Sequence, residues 1–176
     1  MRTIQFPLVN LPEASVDVFR LIEEHLSQNG FGIINRSLDK PWGGFFVIDE
    51  GQAKKFAEFY FPEVEFKSIL ITGSLSPKIL VVAPGKRLSW QYHLRRAEIW
   101  RLVAGKASVT SSDDDVERFN REIMPGEVIR LRQGERHRLI GMDSWGMVAE
   151  IWQHTISEHL SDESDIIRLQ DDFIRN

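Results

Sequence analysis

The chain contains no cysteine, which removes disulfides and thiolate metal sites together and leaves histidine and oxygen donors as the only protein route to a bound metal. No stretch approaches the eighteen or so consecutive apolar residues of a membrane-crossing helix, and no signal-peptide pattern opens the sequence. The expectation is therefore a cytoplasmic protein without a membrane partner. A basic tail and an RNA-binding signature are also missing, so nucleic acid is not expected as a partner. Internal repeats and low-complexity tracts are absent beyond Asp113 to Asp115, which reads as a solvated hairpin tip.

What is present is ordinary for a soluble globule: 176 residues, 42% hydrophobic and 27% charged. That length predicts one domain over 1–176, divided into an N-terminal extension (1–62), a β core (63–153) and a C-terminal tail (154–176). The formal charge of −4 is unevenly spread, because residues 86–138 hold twelve Lys or Arg against eight Asp or Glu. An electropositive core favours an anionic ligand.

Periodicity supplies the elements. Thr3 to Leu8 predicts an edge strand; Ala14, Val18, Leu21, Ile22 and Leu26 recur at helical spacing and predict an amphipathic helix over 12–28, with Asn10 and Glu13 as a capping pair. A short strand at 31–34 follows, then one at 45–48 after the Pro41-Trp42-Gly43-Gly44 turn. Residues 50–60 again follow helical spacing up to Pro62. From Phe66 onward, short apolar runs alternate with turn residues. They predict strands at 66–72, 77–83, 88–93, 97–104, 106–111, 116–123, 127–131, 137–141 and 146–153, the pattern of a sandwich or jelly roll. In the tail, five apolar side chains among residues 166–174 predict that it docks on the body.

The chemistry gathers between Gly85 and Gly105. Gln91 and His93 are two apart in a β-type run and project from one face, and Glu98 follows within a strand's length. His137 lies forty-four residues after His93, just past a turn at Gly134. Two imidazoles, an amide oxygen and a carboxylate would hold a divalent transition ion, zinc being the ion that suits the set best, with a coordination position left open. Glu98 has the opposite parity from His93 in a continuous strand, so the set also predicts a turn or bulge around Leu94 to Ala97.

The spacing Gly85, five residues, Gln91-Tyr92-His93, four residues, Glu98, six residues, Gly105 resembles the first cupin motif, and Pro125-Gly126, Gly134 and His137 resemble the second. Within the cupins, QYHLRRAEIW is similar to type II phosphomannose isomerases, as are Pro41-Trp42-Gly43 and the terminal DIIRLQDDFIR. The resemblance implies an all-β cupin double-stranded β-helix, or jelly roll, with a peripheral N-terminal helix and a docked tail. It implies a metal-dependent isomerase interconverting mannose 6-phosphate and fructose 6-phosphate or a near relative, with a phosphorylated sugar as its small-molecule partner.

By position in the resembled motif, Arg96 is a catalytic or anion-binding candidate. Arg168 and Arg175 would serve the phosphate or site closure, Glu150 would be a base, and Trp42 would line the sugar site. Ile99 stands where the family usually has His, and Phe173-Ile174-Arg175 where it has Tyr-Gly-Arg. Those departures leave open a non-catalytic sugar-binding cupin; an iron-dependent oxygenase is a third reading, and Gln91 speaks against it. A homodimer is expected, since cupin sheets with apolar outer faces commonly pair.

Overall fold

The structure, a computed structural model, describes residues 11–173. The predicted strand at Thr3 to Leu8, the Asn10 cap and Arg175 lie outside that range.

Among the described residues, nine strands share one hydrogen-bonded sheet that folds over itself without closing. Its spine is the antiparallel pair β5 (Arg96–Ser112) and β8 (Arg136–His154), in register from Arg96↔His154 to Ser112↔Arg136. The sequence breaks β5 at Gly105 and β8 between 141 and 146, predicting four strands where there are two. At Gly105 the chain kinks without ending: φ is +70°, a Cβ there would sit 1.8 Å from Trp145 O, and the register shifts on either side. The turn residue forms a bulge that redirects a strand.

The second half of β8 pairs with β3 (Lys78–Val82), which pairs with β2 (Gly43–Ile48), which pairs with β1 (Ile33–Lys40). The first half bridges β4 (Trp90–His93) at Gln91↔His137, and β4 carries β9 (Ile166–Gln170) on its other side. The short strands β6 (Arg121–Glu122) and β7 (Val128–Leu131) lie against β5. The tail thus docks, as its apolar density predicts, and it does so as a strand. Two expected strands are corrected. Residues 66–72 hold a single helical turn, α3 (Phe66–Ile69), in which Ser68 bonds back to Glu65 O, and residues 116–123 reduce to β6.

Two apolar cores lie on opposite sides of the sheet. Outside, α1 (Ser15–Gln28) and α2 (Ala53–Tyr60) pack Val18, Phe19, Ile22, Leu26, Phe56 and Tyr60 against Phe46, Ile79, Val81, Ile99, Met147 and Ile151. Inside, Leu80, Val82, Trp100, Leu102, Leu131, Leu139 and Val148 pack together. Alternation along β3, β5 and β8, interrupted at the Gly105 bulge, sends successive residues to one core and then the other. His25 is buried between the helices with Nε2 3.1 Å from Tyr60 Oη, and burial lowers its pKa.

Candidate metal centre

On the inner face the sheet presents a row of side chains with chemistry in an otherwise apolar lining. Lys78 comes from β3, Glu150 and Trp152 from β8, and Glu98 and Trp100 from β5. The register sets Lys78 beside Glu150, Trp100 beside the same Glu150, and Glu98 beside Trp152. Ile99 belongs to the outer core, 1% exposed under the helices. Whatever stands at position 99 in this backbone therefore faces away from Glu98's side of the sheet.

Glu98 is the hub. His93 Nε2 lies 3.1 Å from its Oε1 and His137 Nε2 3.2 Å from its Oε2, all three side chains being 2% exposed. The Arg96 guanidinium donates from Nε to Glu98 Oε1 at 2.7 Å, from Nη1 to Ser161 Oγ at 2.8 Å, and points Nη2 at His93 Nε2, 3.2 Å away. Burial alone would raise the Glu98 pKa, but the attraction of His93 and Arg96 outweighs it and holds the carboxyl well below its usual range. Burial lowers the pKa of His93 against the pull of Glu98.

The ring orientations favour a cation. His93 Nδ1 faces Asp165 O at 3.3 Å and His137 Nδ1 faces Glu135 O at 2.9 Å. Each carbonyl can only accept, so in a neutral ring the proton sits on Nδ1 and the Nε2 lone pair points inward, the second-layer arrangement usual for metal-binding histidines. Glu98 Oε2 and His137 Nε2 then confront each other without a hydrogen bond, both fully buried. Two lone pairs 3.2 Å apart in a buried site are costly unless something positive lies between them. One ligand atom from each of His93, Glu98 and His137 falls within 4.8 Å of the other two. Gln91, directly across the ladder from His137, is 9% exposed, and its Oε1 accepts from Ser89 Oγ at 2.6 Å. The donor set fits a divalent ion that accepts nitrogen and oxygen.

Beside the cluster opens a cavity of about 500 Å³ whose walls include Gln91, Arg96, Glu98 and Glu150. Trp42, 6% exposed, and Arg168, which sits opposite Gln91 in the β4–β9 ladder, also line it. Glu150 Oε1 accepts from Trp100 Nε1 at 3.1 Å, and burial, with the Glu98 charge second, pushes its pKa up to about 8. Arg96 is 1% exposed, and its guanidinium lies 3.6 Å from the Trp152 ring centroid.

Several lining residues were not singled out from the sequence. Lys78 Nζ sits 3.4 Å from the centroid of the same Trp152 ring and 3.0 Å from Glu163 Oε1. Two groups that close to one centroid cannot share a face, so the indole is held between two cations. A lysine opening the apolar run KILVV was the available signal. Ser76, also in the lining, has φ of +41° and contacts His154 Nε2 through Oγ at 2.9 Å. Ser161 N–H donates to His154 Nδ1, so the neutral ring carries its proton on Nε2 and donates to Ser76; the pair is not a nucleophile with its base.

A family model described as mannose-6-phosphate isomerase C-terminal matches residues 49–171. The alginate biosynthesis protein AlgA of Pseudomonas aeruginosa is 39% identical over 62 residues, covering 35% of this chain and 13% of that protein. The mannose-1-phosphate guanylyltransferase of Salmonella montevideo is 26% identical over 162 residues, covering 91% of this chain and 28% of that one. The chain thus spans less than a third of the length of these curated relatives. Among solved structures, a variant of Bacillus subtilis oxalate decarboxylase superposes with a TM-score of 0.53 at 17% identity, over 77% of this chain and 30% of that one. That likeness concerns the fold, a cupin jelly roll with peripheral helices.

Proposed function

The chain belongs to the mannose-6-phosphate isomerase C-terminal family, and from that premise we propose that it is a metal-dependent sugar-phosphate isomerase interconverting mannose 6-phosphate and fructose 6-phosphate or a near relative. The observation that carries the reading is the joint placement of Glu98, Glu150, Lys78 and Arg168 around one cavity of about 500 Å³, large enough for a hexose phosphate.

Moving a proton between C1 and C2 of a sugar needs a base beside those carbons and stabilisation of the charge that develops on the oxygens. A divalent ion, zinc suiting the donors best, would be held by His93, Glu98, His137 and Gln91 and would supply Lewis-acid polarisation of the sugar's carbonyl and hydroxyl oxygens. Glu150, in the cavity wall with its pKa raised by burial, is the group that takes up and returns the proton as the sugar's carbons exchange it. Lys78 faces it across the strand pair and offers a proton donor to sugar oxygens. Arg168 on β9 holds the phosphate. Trp42 and Phe45 supply an apolar wall. Arg96, whose donors are taken up by Glu98, His93 and Ser161, sets the charge of the cluster and does not reach for the phosphate.

Incubating the zinc-loaded protein with mannose 6-phosphate in deuterated water and following C2 by NMR tests this. Deuterium appearing at C2 supports the isomerase. Saturable binding without exchange would replace it with a sugar-binding module, and oxygen uptake by the iron-loaded protein would replace it with an oxygenase.

A further inference from the structure

His93 and Glu98 share a face only because the two-residue bend at Leu94-Arg95 changes the phase between β4 and β5. The carbonyls of that bend are accounted for elsewhere: Leu94 O accepts from Gln133 Nε2 and Arg95 O from Thr155 N, while His93 O just before it accepts from Gly134 N. Its N–H groups depend on a single side chain. Asp165 takes Leu94 N on Oδ1 and Arg95 N on Oδ2, both at 3.0 Å. The same residue's carbonyl faces His93 Nδ1, and Ser161 Oγ, which receives Arg96 Nη1, donates to Asp165 Oδ2 at 2.7 Å. Asp165 is 6% exposed and opens directly into β9, where Ile166 pairs with His93. Asp165 therefore shapes the turn and steadies the arginine that contacts the hub through its carboxylate, and faces one imidazole through its backbone carbonyl.

We propose that Asp165 is a positioning residue of the metal centre, and that seating of segment 161–170 and capture of a divalent cation are two expressions of one equilibrium. The inference rests on His93, Glu98 and His137 being a cation site, and is independent of any sugar chemistry. If the seated segment sets the ligand geometry, it raises cation affinity; by linkage the cation must then tighten the segment by the same factor.

Zinc affinity is measured by competition with a chromophoric chelator for the full chain, Asp165→Ala and Asp165→Asn. Asp165→Ala keeps the carbonyl that faces His93 but strips the acceptors from Leu94 N and Arg95 N, so the bend that aligns His93 with Glu98 loosens and zinc should bind about 10-fold more weakly, the low end of the loss seen when support around a ligand is removed. Asp165→Asn, which keeps one acceptor oxygen, should fall between, and it carries the test should the alanine variant fail to fold. In the unmodified chain, zinc should slow amide hydrogen exchange at 166–170, and Asp165→Ala should abolish that response. Phe56→Leu, in the outer core, controls for general destabilisation and should keep the unmodified affinity. A folded Asp165→Ala with affinity within about twofold of the unmodified chain, or exchange at 166–170 indifferent to zinc, overturns the coupling while leaving the metal centre standing. Failure of the unmodified chain to bind zinc overturns both.

Discussion

Glu98 and Arg96 form an ion pair at 2% and 1% exposure, and neither charge can retreat to water if the other is removed. Glu98→Ala should therefore cost the metal-free protein about 3–5 kcal/mol in chemical denaturation, the usual consequence of stranding a buried charge. An unchanged midpoint would mean that Ser161 and His93 are sufficient company for the guanidinium. Glu150 makes the opposite kind of statement. Its carboxyl is raised from 4.5 to about 8, so the folded state holds a proton that the unfolded chain releases earlier. The stability this contributes is complete below pH 4.5 and is lost as pH rises through about 8. In metal-free protein the stability of the unmodified chain relative to Glu150→Gln, which does not titrate, should fall steadily over that window, read by urea unfolding at each pH. A difference independent of pH would place the carboxyl in a wetter environment than its 4% exposure implies.

At the level of elements, helix α1 and the helical spacing of 53–60 were legible because each follows one clear period, and the strand at 45–48 because it is an apolar run set off by the Gly43-Gly44 turn. The parity conflict between His93 and Glu98 was legible too, and it calls for a turn or bulge around Leu94 to Ala97, within which the bend falls at Leu94-Arg95. What could not be read was the partner that holds the bend, since Asp165 lies in a polar stretch and acts through a contact spanning 71 residues. Residues 66–72 failed for another reason: a short apolar run fits a strand or a helical turn equally, and only packing decides. Gly105 was read as a turn because its sequence signal is the same whether a strand ends or merely bends. The bend constrains the residue that makes it. Gly105→Ala should cost more than about 1–2 kcal/mol, since backbone strain at positive φ is joined by collision with Trp145 O. Gly85→Ala, also at positive φ but with nothing within 4 Å of where its Cβ would sit, should show the strain alone. Urea unfolding of the two variants checks this, and equal losses would remove the collision from the account.

Across the whole molecule, the sheet separates two jobs. Helices and the outer core lie on one side, ligands and cavity on the other, and single strands such as β8 serve both through alternate residues. Zinc at one hundred times its dissociation constant should stabilise the protein by about 2.7 kcal/mol, and a chelator should remove that gain. Phe56→Leu should lower the melting temperature without changing the increment. Melting curves of both proteins with and without zinc check this, and an increment that changes with Phe56 would show that the two sides of the sheet are not independent.

The exposed tip at 113–120, where Phe119 is 96% exposed, divides the ligand set in a way that invites use. Cutting the chain there gives one fragment carrying Gln91, His93 and Glu98 and another carrying His137 and Asp165. Neither piece alone holds both imidazoles of the centre. Their reassembly would be announced by the zinc they take up together, so the ion becomes a tally of complementation between two halves of one sheet.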